Sequence, residues 1–222
     1  WWVVAEGRGG GRRGLLGCRA VGAGCGKGRA VYRIGSDAPS AESMRINAWL
    51  LGRYARMCQD AGMVPIVEPE VLMSGDHPIG RCAEATAEVL TAVFLQLVVH
   101  GVEFRGMLLK PNMVTPGSQA PGLTDARTVA AETIGVLLRT VPAEVVGITF
   151  LSGGQSEEEA TANLSELARL GPVPWRLTFS FGRALQESAL KAWAGNAMNR
   201  AAAKQALDRR TRTNGRALRT QT

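Results

Sequence analysis

A short apolar run that ends in a lysine and a proline lies in the stretch Phe104-Arg105-Gly106-Met107-Leu108-Leu109-Lys110-Pro111-Asn112. Its three apolar residues do not alternate with polar ones, which predicts a strand buried on both faces. Pro111 lacks the amide that would continue a ladder, so we expect the strand to end at Lys110. Burial lowers the pKa of a lysine, and its neutral amine can then attack a carbonyl. The alternative is a strand-end lysine that extends into water.

Polar residues follow three other apolar runs in the same way. Glu68-Pro69-Glu70 follows Val64-Pro65-Ile66-Val67, Ser152-Gly153-Gly154 follows residues 145–151, and Phe181-Gly182-Arg183 follows residues 177–180. Each of the four runs is followed by a segment with helical periodicity. This alternation predicts a parallel sheet with right-handed crossovers. Because the polar residues lie at the carboxyl ends of the strands, we expect an α/β barrel with its site on that face.

Two carboxylates follow the second run. Glu68 and Glu70 are two residues apart, so they point to the same side of an extended chain. This spacing predicts a pair of neighbouring acids beside the lysine, which is suited to general acid/base chemistry. The alternative is that both are solvated charges at the end of a strand.

Four blocks of sequence together resemble the class I fructose-bisphosphate aldolases, the Schiff-base type. They lie in the family's order, and the resemblance runs from about Lys27 to the C-terminal helix. It implies a partial TIM (β/α)8 barrel with about five of eight strand–helix units. It also implies reversible cleavage of fructose 1,6-bisphosphate to dihydroxyacetone phosphate and glyceraldehyde 3-phosphate, a step of glycolysis. The blocks are Val64 to Glu70, Leu108 to Val114, Gly147 to Ser156 and Leu177 to Gln186.

The resemblance implies a role for each residue near the lysine. Lys110 would form the Schiff base with the C2 ketone, and Glu68, with Glu70 beside it, would be the acid/base that expels water. Lys27 would keep Lys110 neutral by electrostatic repulsion. Arg29 would hold the distal part of the substrate.

The resemblance also implies a site for the C1 phosphate. Glycine amides beside a helix start form such a cradle, and an arginine adds a planar set of donors. The implied residues are Ser152, Gly153, Ser180, Gly182 and Arg183. No metal or cofactor is expected, because the iminium ion takes the place of a Lewis acid. The sequence departs from the family at two places. Phe181 stands where the family motif commonly carries tyrosine. Members of the family typically end in a tyrosine, whereas no tyrosine follows Tyr54 here.

The domain organisation predicted from composition has three parts. Residues 1–26 are rich in glycine and arginine and predict a flexible segment, residues 27–195 form the partial barrel, and residues 196–222 form a basic helical tail. The resemblance implies three further strand–helix units before residue 27, with an essential aspartate and a lysine. We therefore expect an N-terminally truncated product, and a catalytically impaired fragment or pseudoenzyme that binds sugar phosphates is the alternative function.

Composition limits the other classes of function. The net charge is +7, but aromatic residues are only 5 %, so nucleic-acid binding is not expected. No run reaches the roughly 20 consecutive apolar residues that span a membrane. His77 and His100 are the only histidines, and we do not expect them to share a metal.

Transaldolase-like or deoxyribose-phosphate aldolase chemistry is a minor alternative, against which the Glu-Pro-Glu and Ser-Gly-Gly-Gln-Ser blocks argue. The resemblance implies a sugar-phosphate substrate, a homotetramer for the full-length parent, and a cytoplasmic location, with the plastid as a second possibility.

Overall fold

Five parallel strands form one sheet in the order β1-β2-β3-β4-β5 in a computed structural model that describes residues 10–122 and 124–219. Each strand pairs with the next strand along the chain. The strands are β1 (Cys25–Tyr32), β2 (Val64–Val71), β3 (Leu108–Leu109), β4 (Gly147–Phe150) and β5 (Arg176–Phe179). The helices are α1 (Gly10–Ala20), α2 (Ala41–Asp60), α3 (Ile79–Val99), α4 (Ala126–Thr140), α5 (Glu157–Arg169), α6 (Arg183–Trp193) and α7 (Arg200–Ala217).

The helices α2 to α5 lie on one face of the sheet, because each contacts the next in the series. A doubly wound sheet would place successive helices on opposite faces, whereas an α/β barrel places them all outside. The core lies between this helical layer and the sheet. It is built on Val67, Leu109, Ile148 and Phe150, each at most 1 % exposed. The predicted parallel α/β architecture with five strand–helix units is confirmed.

Strand β3 is only two residues long, and the prolines of β2 explain its length. The amides of Val64 and Leu72 donate toward β1, so the even-numbered residues of β2 face that neighbour. The odd-numbered residues, including Pro65 and Pro69, therefore face β3. Neither proline can donate a hydrogen bond, which confines ladder pairing to Ile66 and Val67.

Helix starts are fixed by capping side chains. The hydroxyl oxygen of Ser40 accepts from the Ser43 amide at 3.2 Å at the start of α2. Asp125 caps α4 in the same way, through the Thr128 amide at 2.9 Å. These caps set where the chain leaves the sheet edge and enters the helical layer.

The N-terminal part of the chain differs from the predicted flexible segment 1–26. Helix α1 forms within it, and β1 begins at Cys25, two residues before the expected boundary at Lys27. Leu15 is 2 % exposed and packs against Cys58 and Met63, so one leucine anchors a helix that glycine and arginine content alone argued against. Residues 1–9 lie outside the described part of the chain.

Helix α3 is long and apolar enough to cross a membrane by length and composition, but half of that window is buried inside the protein. Its buried residues include Val89, Leu90, Val93 and Leu97, which belong to the main core. These contacts are those of a central core helix.

Candidate active site

A buried carboxylate joins two lysines from adjacent strands, since Glu68 lies in β2, Lys27 in β1, and Lys110 directly after β3. Glu68 Oε2 lies 2.6 Å from Lys27 Nζ, and Glu68 Oε1 lies 3.2 Å from Lys110 Nζ. Register explains the meeting, because Leu109 lies opposite Val67 and the next residues along the two strands are Lys110 and Glu68. The main-chain amide of Lys110 donates to the Val67 carbonyl at 2.7 Å.

The Lys110 amine is shielded from water, since the residue is 8 % exposed. This burial lowers the pKa of Lys110 below its ordinary value. The negative charge of Glu68 opposes that change, and the positive charge of Lys27 reinforces it. The result is an amine that gives up its proton more readily than an exposed lysine and has a carboxylate within hydrogen-bonding distance.

The second carboxylate has a different partner. Glu70 is 7 % exposed, and its Oε2 accepts from Arg29 Nε at 2.8 Å and from Arg29 Nη2 at 2.5 Å. Arg29 Nε lies 4.0 Å from Glu68 Oε1. The two acids are therefore not an unpaired couple of negative charges, because Glu68 contacts two lysines and Glu70 contacts Arg29. The guanidinium of Arg29 is engaged by Glu70, which limits its freedom to reach a ligand.

Asn112 connects the end of β3 to its surroundings, a role that was not assigned from the sequence. Its Oδ1 accepts from the Val71 amide at 2.9 Å, and its Nδ2 donates to Thr86 Oγ1 at 3.2 Å and to the Met113 carbonyl at 3.1 Å. The side chain thus replaces the backbone acceptor that β3 no longer supplies once Pro111 has ended the strand. The sequence feature that could have indicated this role is an asparagine directly after the proline that ends the strand.

The loops that follow β2 and β3 are hydrogen-bonded to each other. Gly117 N donates to the His77 carbonyl at 2.8 Å, Ser118 N to the Met73 carbonyl at 2.6 Å, and Gln119 N to the Gly75 carbonyl at 2.8 Å. His77 is 7 % exposed, and burial lowers its pKa. These bonds join the two loops that follow the carboxyl ends of β2 and β3.

The residues expected to bind a phosphate meet at the ends of β4 and β5. Arg183 Nη2 donates to the Gly153 carbonyl at 2.9 Å, and Gly153 has a φ of 56°. Ser152 is buried, whereas Ser180, Gly182 and Arg183 are exposed. The Ser180 amide donates to the Phe150 carbonyl at 2.9 Å, which fixes the end of β5 against β4.

Two helix starts, those of α5 and α6, lie beside this cluster and differ in their capping. Ser156 and Glu159 form a reciprocal capping box on α5, with Ser156 N donating to Glu159 Oε2 at 2.8 Å, so the amides there are engaged. Within the described residues, no side chain caps the start of α6 at Gly182. The amides open to an anion are therefore those of Gly182 and Arg183.

A metal site does not form among the residues described. No group of three or more histidine, cysteine, aspartate or glutamate side chains in residues 10–122 and 124–219 is arranged to hold an ion. His77 lies in the loop before α3, and His100 follows the far end of that helix, where its Nδ1 is 2.8 Å from the Gln96 carbonyl. The two histidines are thus separated by the length of α3.

Comparison with known proteins decides the family. The profile described as fructose-bisphosphate aldolase class-I matches residues 17–221. Fructose-bisphosphate aldolase B of Gallus gallus is 53 % identical over 201 residues, which cover 90 % of this chain and 55 % of that protein. The cytoplasmic isozyme 2 of Pisum sativum is 52 % identical over 192 residues, which cover 86 % of this chain and 53 % of that protein. The chain belongs to the class I fructose-bisphosphate aldolases.

A solved aldolase has the same arrangement of strands and helices. The fructose-bisphosphate aldolase of Plasmodium falciparum, in a complex with TRAP and a small-molecule inhibitor, superposes with a TM-score of 0.92 at 44 % identity. The alignment covers 95 % of this chain and 61 % of that one. The present aldolase chain spans about half the length of the curated relatives it matches.

Phe181, which the sequence comparison with the family singled out, is a core residue in the structure. The ring is 5 % exposed and lies 5.2 Å from the Phe179 ring, centroid to centroid. It packs into the main core with Ala184. Phe181 therefore serves packing under the phosphate cluster and offers no hydroxyl group to it.

Proposed function

We propose that this chain carries the Schiff-base centre of a class I fructose-bisphosphate aldolase and that Lys110 is its nucleophile. The observation that supports this most directly is the buried Lys110 amine, 3.2 Å from Glu68 and with a lowered pKa. The reaction is the reversible cleavage of fructose 1,6-bisphosphate to dihydroxyacetone phosphate and glyceraldehyde 3-phosphate.

The chemical steps follow from these positions. Glu68 first takes a proton from the Lys110 ammonium, and the neutral Lys110 Nζ attacks the C2 ketone to form a carbinolamine. Glu68 then gives the proton to the C2 hydroxyl group, which leaves as water, and the iminium ion remains on Lys110. The C3–C4 bond breaks as the C4 hydroxyl group gives its proton to a base, a role for which the family resemblance implies the aspartate named above. C4 leaves as the aldehyde carbon of glyceraldehyde 3-phosphate, and the electron pair of the bond moves to the cationic nitrogen to give an enamine. Lys27, 2.6 Å from Glu68, disfavours a second positive charge on Lys110 before attack.

The C1 phosphate is proposed to lie between the ends of β4 and β5. Ser152, Gly153, Ser180, Gly182 and Arg183 are the residues that would hold it. The support is the contact between Arg183 and the Gly153 loop, together with the uncapped start of α6. A helix start with free amides favours an anion, and the guanidinium supplies further donors.

We further propose a cellular location and a mode of assembly for this chain. The name of the Pisum sativum relative places that protein in the cytoplasm, and we propose the same for this chain in preference to the plastid. Apolar side chains exposed together on the outer surfaces of α2 and α3 support contacts with further copies, as in a homotetramer. They are Ile46, Trp49, Leu50, Leu95, Val98 and Val99.

Trapping with borohydride tests the nucleophile. Dihydroxyacetone phosphate and borohydride are expected to leave a stable secondary amine on Lys110, located by peptide mass spectrometry. Lys110→Met should abolish the adduct, and Lys204→Met, on the exposed side of α7, should not. A chelator should leave the yield unchanged. The assignment is wrong if the adduct forms on another lysine or if Lys110→Met still traps the ketone.

A further inference from the structure

A polar cluster joins α5, α6 and α7 behind the proposed phosphate site. Arg210 on α7 is at its centre, with its Nη2 2.6 Å from the Glu157 carbonyl, 2.8 Å from Thr161 Oγ1 and 3.2 Å from the Ala184 carbonyl. Its Nε lies 3.4 Å from Glu157 Oε2. The Arg210 side chain is 11 % exposed, so these contacts are largely shielded from water and salt.

Glu157, the first residue of α5, is the counter-charge of this cluster. Its Oε1 accepts from the Ser188 amide at 2.9 Å, and its Oε2 accepts from the Ser188 hydroxyl. Burial by itself favours the protonated acid, but the Ser188 bonds and the Arg210 charge outweigh it and lower the pKa of Glu157. An ionised carboxylate therefore links α5 to the middle of α6 and to α7.

The cluster is one residue away from the phosphate site on α6 and four residues away on α5. Ala184, whose carbonyl Arg210 contacts, directly follows Arg183. Glu157 follows the loop that begins at Gly153, and Arg183 Nη2 donates to the Gly153 carbonyl. A closed circuit of contacts thus runs from the Gly153 loop through Arg183, Ala184, Arg210 and Glu157 back to that loop.

We propose that Arg210 is a positioning residue for phosphate binding. It sets the separation between the start of α6, with Arg183, and the loop at Gly153. This inference rests on the proposed function, since the ligand is the phosphate group of the substrate.

The chemistry of the side chain explains why an arginine is suited to this role. A guanidinium presents several donors in a fixed plane, so it contacts backbone oxygens of two helices while pairing with the carboxylate. A lysine carries one ammonium on a flexible stem and cannot hold the same three groups in fixed geometry. Asn214 on α7, which is fully buried, adds its Oδ1 at 2.6 Å from Thr161 Oγ1 and strengthens the docking of α7.

Calorimetric titration of the 222-residue chain with inorganic phosphate tests the proposal without requiring catalysis. Arg210→Met is expected to weaken phosphate binding about tenfold, and Arg210→Lys to weaken it by a smaller factor. Arg212→Gln is the matched control, because Arg212 lies on the same helix, is exposed and pairs with Asp208. It should bind phosphate as the unmodified chain does. Borohydride trapping of non-phosphorylated dihydroxyacetone on Lys110 should proceed at the same rate in all of these variants.

A double substitution separates positioning from a general structural effect. If Arg210 acts through Arg183, then Arg183→Ala with Arg210→Met should bind phosphate no more weakly than Arg183→Ala alone. Unchanged phosphate affinity in Arg210→Met, additive losses in the double variant, or an equal loss in dihydroxyacetone trapping would each overturn the proposal. Ser188→Ala, which removes only one donor to Glu157, provides the same test if Arg210→Met does not fold.

These measurements also distinguish the two proposals. Phosphate binding that depends on Arg210, without a Lys110 adduct in the unmodified chain, would overturn the proposed reaction and leave the positioning role standing. A Lys110 adduct together with phosphate binding that is insensitive to Arg210 would support the proposed reaction and overturn the positioning role of Arg210.

Discussion

Replacing Glu68 by glutamine should lower the pKa of Lys110 further and make its amine neutral at lower pH. The substitution keeps the shape of the side chain but removes the negative charge that lies 3.2 Å from Lys110 Nζ and 2.6 Å from Lys27 Nζ. Because the charge of Glu68 favours the Lys110 ammonium, its loss leaves burial and the Lys27 charge unopposed. Lys27→Met should have the opposite effect and raise the pKa of Lys110.

The size of the effect follows from the contact. A hydrogen bond to a charged group contributes roughly 1.5–3 kcal/mol net. At about 1.36 kcal/mol per pH unit, the loss of that bond corresponds to about 1–2 units. A bare Coulomb energy at 3.2 Å with an effective dielectric constant of about 20 is about 5 kcal/mol, which is an upper bound. Glu68 also shares its charge with Lys27, and glutamine keeps a polar oxygen, so the smaller figure applies.

Competitive acetylation with mass spectrometry measures this change at a single amine. Trace acetic anhydride labels neutral amines, so the labelling of Lys110 against pH should move to lower pH by about 1–2 units in Glu68→Gln. Lys204 in the same digest is the internal reference, and Glu88→Gln on α3 is the control for loss of a distant carboxylate. A profile of Lys110 that stays in place or moves to higher pH in Glu68→Gln would refute this account of the site.

Four further predictions concern the loops around the site, the phosphate cluster and the chain by itself. Gly117→Ala should lower stability by about 1–3 kcal/mol in chemical denaturation, because its Cβ would lie 2.3 Å from the Gly75 carbonyl oxygen, whereas Gly80→Ala, with open space around it, should not. Asn112→Ala should cost about 1–3 kcal/mol by leaving a buried β2 amide unpaired, and an unchanged unfolding midpoint would contradict that. Arg183→Ala should raise the inhibition constant of inorganic phosphate about tenfold. The 222-residue chain should self-associate in sedimentation, because β1 and β5 each have one strand neighbour among the described residues.

Much of the fold could be predicted because hydrophobic pattern and punctuation agree along the chain. Each buried run that a proline or glycine ends became a strand, and Ser40 and Pro78 lie where α2 and α3 begin. The length of β3 could not be predicted, since it depends on which neighbour the prolines of β2 face. That direction is set by register between strands and is not encoded in either strand alone.

The candidate site was predictable in its members and less so in its pairings. Residues at strand ends were found because parallel strands bring their carboxyl ends to one edge. Arg29 pairs with Glu70, where a substrate contact was expected. The register between β1 and β2 places Arg29 opposite Glu68, two residues before Glu70, and this register is not readable from either strand alone. Helix α1 was missed because a single buried leucine carries little weight in a glycine-rich sequence.

The order of strands in the sheet, which equals their order in the chain, has a consequence for synthesis on the ribosome. Among the described strands, each of β2 to β5 pairs with the strand made just before it, so the sheet can grow by one strand–helix unit at a time. The Lys27, Glu68 and Lys110 cluster is complete once β3 has docked, whereas the contacts of Arg210 with Glu157 and Ala184 require about a hundred further residues. A nascent chain would thus hold a reactive amine well before it can hold a phosphate.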